Sequence, residues 1–278
     1  MSRLRLLVVD AYDAPGRAEI VAAGVTEAGV LYRKAIGHCD ADADIEIFRF
    51  GDGTRPSLNG WDGVLWTGSS LTIHKPDDTV RDQINLCRAF FAQGTPQFGS
   101  CWAIQLAAVA AGGSCGPNPR GREFGVARKI TLNDAGASHP LHRGRPRAFD
   151  SYTIHADMVT GLPDGAVLLS GNPFTEVQSL AVPYLAGTFW AVQYHPEYNL
   201  AEIARLAECR RTPLIAQGTF EDDAAVDRFS AAARILHEDP GRTDLAWRLG
   251  VDDDVLDADR RLTELRNWLA TLPVAARR

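Results

Sequence analysis

Short apolar runs alternate with longer stretches of helical spacing through the first part of the chain. Runs this short are typical of strands, and the stretches between them are long enough for helices. The pattern predicts strands at Leu4–Val9, Ile45–Phe50, Gly63–Trp66 and Thr95–Phe98. It predicts helices at Pro15–Ile36, Asp78–Ala92 and Trp102–Ala111. Strands that alternate with helices indicate an α/β fold with a mostly parallel central sheet flanked by helices.

The pattern changes after about residue 126. Strand-like runs then predict antiparallel strands beside or across the main sheet, at Ala166–Leu169, Val177–Val182 and Thr188–Val192. After Asn199 the chain is predicted to be helical to its end. We therefore divide it into an α/β domain, residues 1–200, and a helical C-terminal extension, residues 201–278, that packs on this domain.

The extension carries an apolar seam. Four leucines recur at helical spacing beside Trp268, and they are Leu262, Leu265, Leu269 and Leu272. We expect this seam to pack on the protein's own core. The other interpretation is that it docks a partner.

Charge and cysteine content narrow the function classes. The formal net charge of −6 at pH 7 disfavours a nucleic-acid-binding surface. The five cysteines contain no C-x-x-C pair, which argues against a disulfide framework and a zinc site and favours a reducing compartment. The apolar run near the start is too short for a signal peptide or a membrane span. We expect a soluble cytoplasmic protein.

One acidic segment, residues 38–44, raises the question of a metal site. A calcium loop of the EF-hand type needs glycine at its sixth position and glutamate at its twelfth, where this chain has Ile45 and Gly51. The segment is therefore predicted to be a solvated loop. The sequence also lacks both the P-loop motif and the G-x-G-x-x-G motif. We predict no metal and no cofactor.

The segment from Pro96 to Gln105 carries the most informative chemistry. A predicted strand runs into Gly99, the chain turns at Cys101, and a predicted helix begins at once, which is the arrangement of a nucleophile elbow. Cys101 would sit at a helix N-terminus, where unpaired N–H groups stabilise a thiolate. The N–H of Trp102 would help to stabilise an oxyanion. The alternative is that Cys101 is an ordinary buried cysteine.

A second segment supplies a base. The strand predicted at Thr188–Val192 leads into His195, Pro196 and Glu197. A thiol nucleophile needs a base that removes its proton and later protonates the leaving amine, and the base needs a carboxylate that fixes its tautomer. Residues i and i+2 of an extended segment point to the same side, so Glu197 can reach the imidazole of His195. A lone histidine would more simply be structural.

A tight turn after the predicted strand Gly63–Trp66 contributes a third feature. It contains Thr67, Gly68, Ser69 and Ser70. Its backbone N–H groups would complete an oxyanion hole beside the elbow. Taken alone, the same residues also fit an ordinary turn.

Together these segments resemble the class I glutamine amidotransferases, most closely the amidotransferase domain of GMP synthase and its stand-alone relatives. The resemblance runs from about Leu4 to Leu200. It rests on the motifs G-x-C-W-x-x-Q at Gly99–Gln105, G-R-E-x-G at Gly121–Gly125, H-x-D-x-V at His155–Val159 and W-x-V-Q-Y-H-P-E at Trp190–Glu197. It implies a flavodoxin-like amidotransferase fold.

The resemblance also implies roles for individual residues. The family's catalytic triad corresponds to Cys101, His195 and Glu197. Its oxyanion amides correspond to Trp102 with Gly68 or Ser69. Its glutamine-binding positions correspond to Gln105 and the backbone near Ala156 and Asp157. The sequence departs from the family at Ala103, where glycine is usual, and we expect slower or altered chemistry at worst, because a helical position accepts alanine without strain.

The implied activity is hydrolysis of the γ-amide of glutamine, or of a γ-glutamyl compound, through a thioester on Cys101. The products would be glutamate and ammonia or an amine. The chain would then be either a glutaminase subunit that passes ammonia to a synthase partner or a stand-alone γ-glutamyl peptidase or hydrolase. A third interpretation is a non-catalytic binding relative, for which Ala103 is the only indication.

Overall fold

The computed structural model describes residues 3–53 and 55–273. Its strands, in chain order, are Arg5–Asp10 (β1), Asp44–Arg49 (β2), Gly63–Trp66 (β3), Gln97–Ser100 (β4), Ser114–Pro117 (β5), Glu123–Leu132 (β6), Ala148–His155 (β7), Asp157–Gly161 (β8), Val167–Gly171 (β9), Ser179–Tyr184 (β10) and Gly187–Val192 (β11). Within that part of the chain, nine strands form one sheet in the order β2-β1-β3-β4-β11-β10-β9-β6-β7.

The first five strands of this order run parallel, and the other four are antiparallel to their neighbours. β5 and β8 form a separate antiparallel pair. The predicted α/β fold is confirmed, and antiparallel strands follow residue 126 as expected. The site described below lies at the carboxyl ends of the parallel strands, where open α/β sheets bind their ligands.

The helices of the described residues are Ala14–Ala22 (α1), Ala28–Cys39 (α2), Asp78–Gln93 (α3), Trp102–Ala110 (α4), Asp134–Ser138 (α5), Leu200–Cys209 (α6), Arg211–Ala216 (α7), Asp223–Glu238 (α8), Thr243–Leu249 (α9), Asp253–Leu256 (α10), Ala258–Arg261 (α11) and Thr263–Leu269 (α12). Both faces of β1 are buried, because Leu7 and Val9 join one apolar cluster while Leu6 and Val8 join another. Such two-sided burial explains the continuous apolar run in the sequence.

The single helix predicted at Pro15–Ile36 is wrong. The structure has two helices there, α1 and α2, because Gly24 adopts a φ of +78° that is incompatible with a continuing helix. Gly29 does not break α2. Its N–H donates to the Asp10 carboxylate at 2.9 Å, and a Cβ there would lie 2.8 Å from the Ile47 side chain, so its role is close packing.

The apolar seam of the extension packs against the sheet. Leu262, Leu265, Leu269 and Leu272 are buried in the same apolar cluster as Leu6 of β1. The ring of Trp268 lies 5.6 Å from the ring of Phe98 and would contact any Cβ placed on Gly63. The seam therefore belongs to the protein's own core. Residues 274–278, the end of the predicted helical segment, lie outside the described residues, and the division at residue 200 stays a prediction.

A buried ionic cluster fixes α12 to the sheet. Glu264 is fully buried, and it accepts hydrogen bonds from Arg145 Nε at 2.7 Å and Arg145 Nη2 at 2.8 Å. His142 Nδ1 lies 3.2 Å from the same carboxylate. Burial alone would raise the pKa of Glu264, but Arg145 and His142 lower it to about 2. The last part of the described chain is therefore held by charge as well as by apolar packing.

Candidate active site

Cys101 lies between the end of β4 and the start of α4, where the elbow pattern predicts it. Its φ of 55° falls in the left-handed region that few non-glycine residues adopt. The Cys101 N–H donates to the Val192 carbonyl at 2.8 Å, which ties the elbow to the end of β11. The Sγ atom lies 3.5 Å from the Ile154 carbonyl, and Cys101 lines a cavity. The turn is strained, and the predicted nucleophile borders the cavity.

Small residues surround the elbow. A Cβ placed on Gly99 would lie 2.5 Å from the Trp66 carbonyl oxygen and would also overlap the Cβ of Ala103. Ala103 is fully buried within α4, so its methyl group fills the space that Gly99 leaves. The departure from the family pattern at Ala103 is therefore accommodated by packing, and Cys101 keeps its elbow conformation.

His195 and Glu197 follow β11 and form a buried pair. His195 Nδ1 lies 2.7 Å from Glu197 Oε1. The Ser100 hydroxyl donates to the same Oε1 at 2.8 Å, and the Tyr32 hydroxyl donates to Ser100 Oγ at 2.7 Å. His195 is 1% exposed and Glu197 is 8% exposed. This chain of hydrogen bonds holds the carboxylate in place, and the carboxylate orients the imidazole.

The imidazole of His195 is oriented on a second side by Tyr198. The two rings stack with centroids 4.0 Å apart and planes 3° from parallel. Burial alone would lower the pKa of His195, but the charges of Glu197 and Cys101 raise that pKa to about 10. His195 Nε2 is buried and has no hydrogen-bond partner in the described part of the chain. A basic imidazole beside a thiol is the arrangement that a cysteine nucleophile requires.

The turn after β3 lies between Cys101 and His195. A Cβ placed on Gly68 would lie 2.9 Å from His195 Cε1 and 3.7 Å from Cys101 Cβ, so only glycine fits there. The turn is tied to the loop after β1, because Ser69 Oγ donates to the Ala11 carbonyl at 2.9 Å. Trp102, at the start of α4, has one of the N–H groups that lack a partner within the helix. The three predicted oxyanion residues therefore lie around Cys101.

A cavity of about 440 Å³ adjoins the nucleophile. The predicted glutamine-binding residues line it together with three others of the predicted site, and the six are Ser69, Cys101, Trp102, Gln105, Ala156 and Asp157. Gln105 Nε2 donates to the Asp157 carbonyl at 3.1 Å. His155 Nδ1 lies 2.9 Å from that carbonyl, and its Nε2 lies 2.9 Å from Glu123. His155 therefore lines the cavity and pairs with Glu123.

Two negative findings concern only residues 3–53 and 55–273. No group of three or more histidine, cysteine or acidic side chains there is arranged to hold a metal ion. No helix there has the length and apolar character needed to cross a bilayer.

The sequence as a whole was compared with known protein families. The family described as Glutamine amidotransferase class-I matches residues 40–205, which is more than half of the chain. The chain belongs to the class I glutamine amidotransferase family. Among curated relatives of this amidotransferase, a gamma-glutamyl-L-1-hydroxyisopropylamide hydrolase from a Pseudomonas species is 34% identical over 233 residues. That match covers 80% of this chain and 76% of the relative.

Other relatives match a smaller part of the amidotransferase. A GMP synthase from Thermomicrobium roseum is 30% identical over 135 residues, which covers 49% of this chain but only 23% of the synthase. A glutamine amidotransferase from Thermotoga maritima has a similar structure, with a TM-score of 0.66 at 15% identity over 99% of this chain and 100% of that one. One from Methylobacillus flagellatus has a TM-score of 0.66 at 16% identity, covering 100% of this chain and 98% of that one. These two structures support the fold alone.

Several residues around the pocket were not predicted from the sequence. Ser100 and Arg122 lie inside motifs that the sequence analysis used, but they received no role. Tyr198 lies directly after the motif that contains His195 and Glu197. Four others are contributed by the N-terminal and C-terminal helices, and they are Glu19, Leu206, Arg210 and Pro213. No motif pointed to these last four, because only the tertiary packing of α1, α6 and α7 places them at the amidotransferase site.

Proposed function

We propose that this chain is a cysteine-dependent hydrolase of γ-glutamyl amides, with Cys101 as nucleophile, His195 as base and Glu197 as the residue that orients the base. The observation that carries the proposal is the buried His195–Glu197 pair, in which His195 shares the contact with Gly68 with Cys101, and Cys101 lines the cavity. A hydrogen-bonded carboxylate, a charged imidazole and a thiol at a strained elbow are the parts that covalent amide hydrolysis requires.

The first half of the reaction would acylate the cysteine. The Cys101 thiolate attacks the γ-carbonyl carbon, and the N–H groups of Trp102 and of Gly68 or Ser69 stabilise the negative oxygen that forms. His195 holds the thiol proton and delivers it to the departing nitrogen, so that the C–N bond breaks and the amine leaves. A γ-glutamyl thioester on Cys101 remains.

The second half would regenerate the thiol. Water attacks the thioester carbonyl, and His195 takes one proton from that water. The C–S bond then breaks, which releases glutamate and restores the Cys101–His195 pair. Through both halves Gln105, with the backbone at Ala156 and Asp157, would hold the glutamyl group in the cavity. No cofactor is needed for these steps.

The identity of the amide is part of the proposal. The relative that this chain matches over most of both lengths is named for hydrolysis of a γ-glutamyl alkylamide. The GMP synthases are matched over about half of this chain and about a quarter of their own length. We therefore favour stand-alone hydrolysis of γ-glutamyl compounds. The similarity to GMP synthases supports the second candidate, a glutaminase subunit that supplies ammonia to a synthase partner.

Turnover of γ-glutamyl compounds tests the proposal directly. The purified full chain is incubated with glutamine and with γ-glutamyl amides, and glutamate release is measured. We expect release from γ-glutamyl amides in the wild type, none in Cys101→Ala, and wild-type rates in Cys39→Ala, a matched change at a cysteine remote from the cavity. A diazo-ketone analogue of glutamine should label Cys101 alone.

Each other outcome has a defined meaning. Glutamate release from glutamine alone, strongly stimulated by cell extract, would favour the glutaminase subunit. No release from any compound together with no labelling of Cys101 would contradict catalysis and favour a binding protein. The division into residues 1–200 and 201–278 and a cytoplasmic location also remain proposals, the latter supported by five cysteines that are all free thiols.

A further inference from the structure

One wall of the active-site cavity carries two arginines that the proposed reaction does not use. Arg122 precedes β6, and Arg210 lies at the junction of α6 and α7. Leu206 and Pro213, on those two helices, line the cavity beside them, as does Glu19 of α1. This wall contains charge and apolar surface together, which is typical of a site for part of a ligand.

Arg122 lacks an anionic partner. Its Nε donates to Gln217 Oε1 at 3.0 Å, and no carboxylate lies within ion-pair distance of it in the described part of the chain. Burial and the like charge of Arg210 lower the pKa of Arg122, and the nearby Cys101 and Asp157 oppose that change. Two guanidinium groups close enough to repel each other at the edge of a cavity form a site that an anion would stabilise.

Arg210 is only partly neutralised. Its Nη1 lies 2.7 Å from Glu19 Oε1, but the Glu19 side chain is 59% exposed, so its charge is largely hydrated. No other side-chain hydrogen bond of Arg210 occurs within the described residues. A guanidinium group binds a carboxylate best through two parallel hydrogen bonds, and Arg210 keeps donors available for that geometry.

The position of Arg210 relative to His195 indicates which half of the substrate it would meet. His195 must protonate the departing amine, so the amine half lies on its side of Cys101. Tyr198 stacks on His195 with ring centroids 4.0 Å apart, and it lines the cavity together with Tyr12 and Arg210. The residue that stacks on the base and Arg210 therefore border the same cavity.

The glutamyl half of the substrate would lie on other elements. Gln105 belongs to α4, and Asp157 begins β8; the two are joined by a hydrogen bond. Gln105 and Asp157 both lie outside α6 and α7. The two arginines are therefore available for a second charged group on the substrate.

We propose that Arg122 and Arg210 bind a carboxylate on the amine half of the substrate, so that the enzyme prefers γ-glutamyl amino acids to γ-glutamyl amides of uncharged amines. The inference rests on the proposed function. It also separates this chain from its Pseudomonas relative, which is named for the amide of an uncharged hydroxyisopropyl group. Leu206 and Pro213 would contact the side chain of the released amino acid.

A pair of isosteric substrates tests this inference. γ-Glutamylalanine and γ-glutamylalaninamide differ only in whether the amine half ends in a carboxylate or in a neutral amide. We expect the wild-type kcat/KM to be about ten- to a hundred-fold higher for γ-glutamylalanine, the range expected for charge-assisted hydrogen bonds. That ratio should fall towards one in Arg210→Gln and in Arg122→Gln, and Arg210→Lys should keep an intermediate ratio.

Arg211→Gln is the matched control. Arg211 is adjacent in sequence but pairs with Asp223 and Asp227 on the surface, so the ratio should stay at the wild-type value. A wild-type ratio near one, or variants that lose both substrates equally, would overturn the inference while leaving the proposed function intact. Failure of wild type to hydrolyse either compound, together with glutamine, would instead overturn the proposed function and the inference with it.

Discussion

Removing one buried carboxylate should detach the last described helix from the core. Glu264 lies on α12 and is surrounded by Arg145 and His142, and the Arg145 side chain is only 3% exposed. The change Glu264→Gln keeps the shape of the side chain but leaves the buried guanidinium without its counter-ion. Breaking a buried ion pair by removing one partner costs about 3–5 kcal/mol of unfolding free energy.

The pKa of Glu264 gives a second figure for the same interaction. Its folded value of about 2 is lower than the ordinary 4.5, which corresponds to about 3 kcal/mol of stability near neutral pH. Because the folded pKa is the lower one, this stability is present above about pH 4.5 and is lost as the pH falls towards 2. The two figures agree on a loss of several kcal/mol.

Equilibrium unfolding in urea measures the loss, followed by tryptophan fluorescence and circular dichroism together. The matched control is Arg266→Gln on the same helix, because Arg266 forms an exposed ion pair with Asp259 that should contribute at most about 1 kcal/mol. The difference in stability between wild type and Glu264→Gln should shrink between pH 4.5 and 2. If Glu264→Gln unfolds at the same urea concentration as Arg266→Gln, the ionic cluster does not hold α12 and the reasoning is refuted.

Three further predictions concern the elbow and the base. Gly68→Ala should lower kcat by about a hundred-fold with little change in the thermal midpoint of unfolding. The added methyl group would lie 2.9 Å from His195 Cε1 and would displace the imidazole. Unchanged turnover would contradict this packing. Ser100→Ala should lower kcat about ten-fold by removing a charge-assisted hydrogen bond to Glu197, whereas Tyr32→Phe, one bond further out, should have a smaller effect on kcat. Gly99→Ala should destabilise the fold by about 1–3 kcal/mol, and adding Ala103→Gly should restore part of that loss in urea unfolding.

The parallel half of the sheet could be predicted from the sequence because burial on both faces produces continuous apolar runs. Gly63–Trp66 was predicted at the observed bounds for this reason. Gly24 and Gly29 both weaken the predicted helix, but the sequence does not reveal which glycine ends a helix, as Gly24 does, and which permits close packing, as Gly29 does. That distinction depends on φ and on neighbours distant in the sequence.

The candidate site also contains some residues that the sequence could predict and others that it could not. Cys101, His195 and Glu197 could be proposed because their local motifs reflect local geometry, an elbow and an extended pair. Arg210 could not, because α6 and α7 have no motif and reach the cavity only through tertiary packing. The partial neutralisation of Arg210 by Glu19 joins residues far apart in the sequence, which periodicity does not detect.

The wall formed by α6 and α7 has a consequence for how relatives of this protein are compared. The family match ends at residue 205, and three of the cavity residues, Leu206, Arg210 and Pro213, follow immediately after it. Two members can therefore share every residue of the reaction centre and still differ in what they accept. A substrate known for one member should be assigned to another only if the eight residues from 206 to 213 agree. The family match alone does not justify that assignment. The same short stretch is where selection could exchange one amine half for another without disturbing the chemistry.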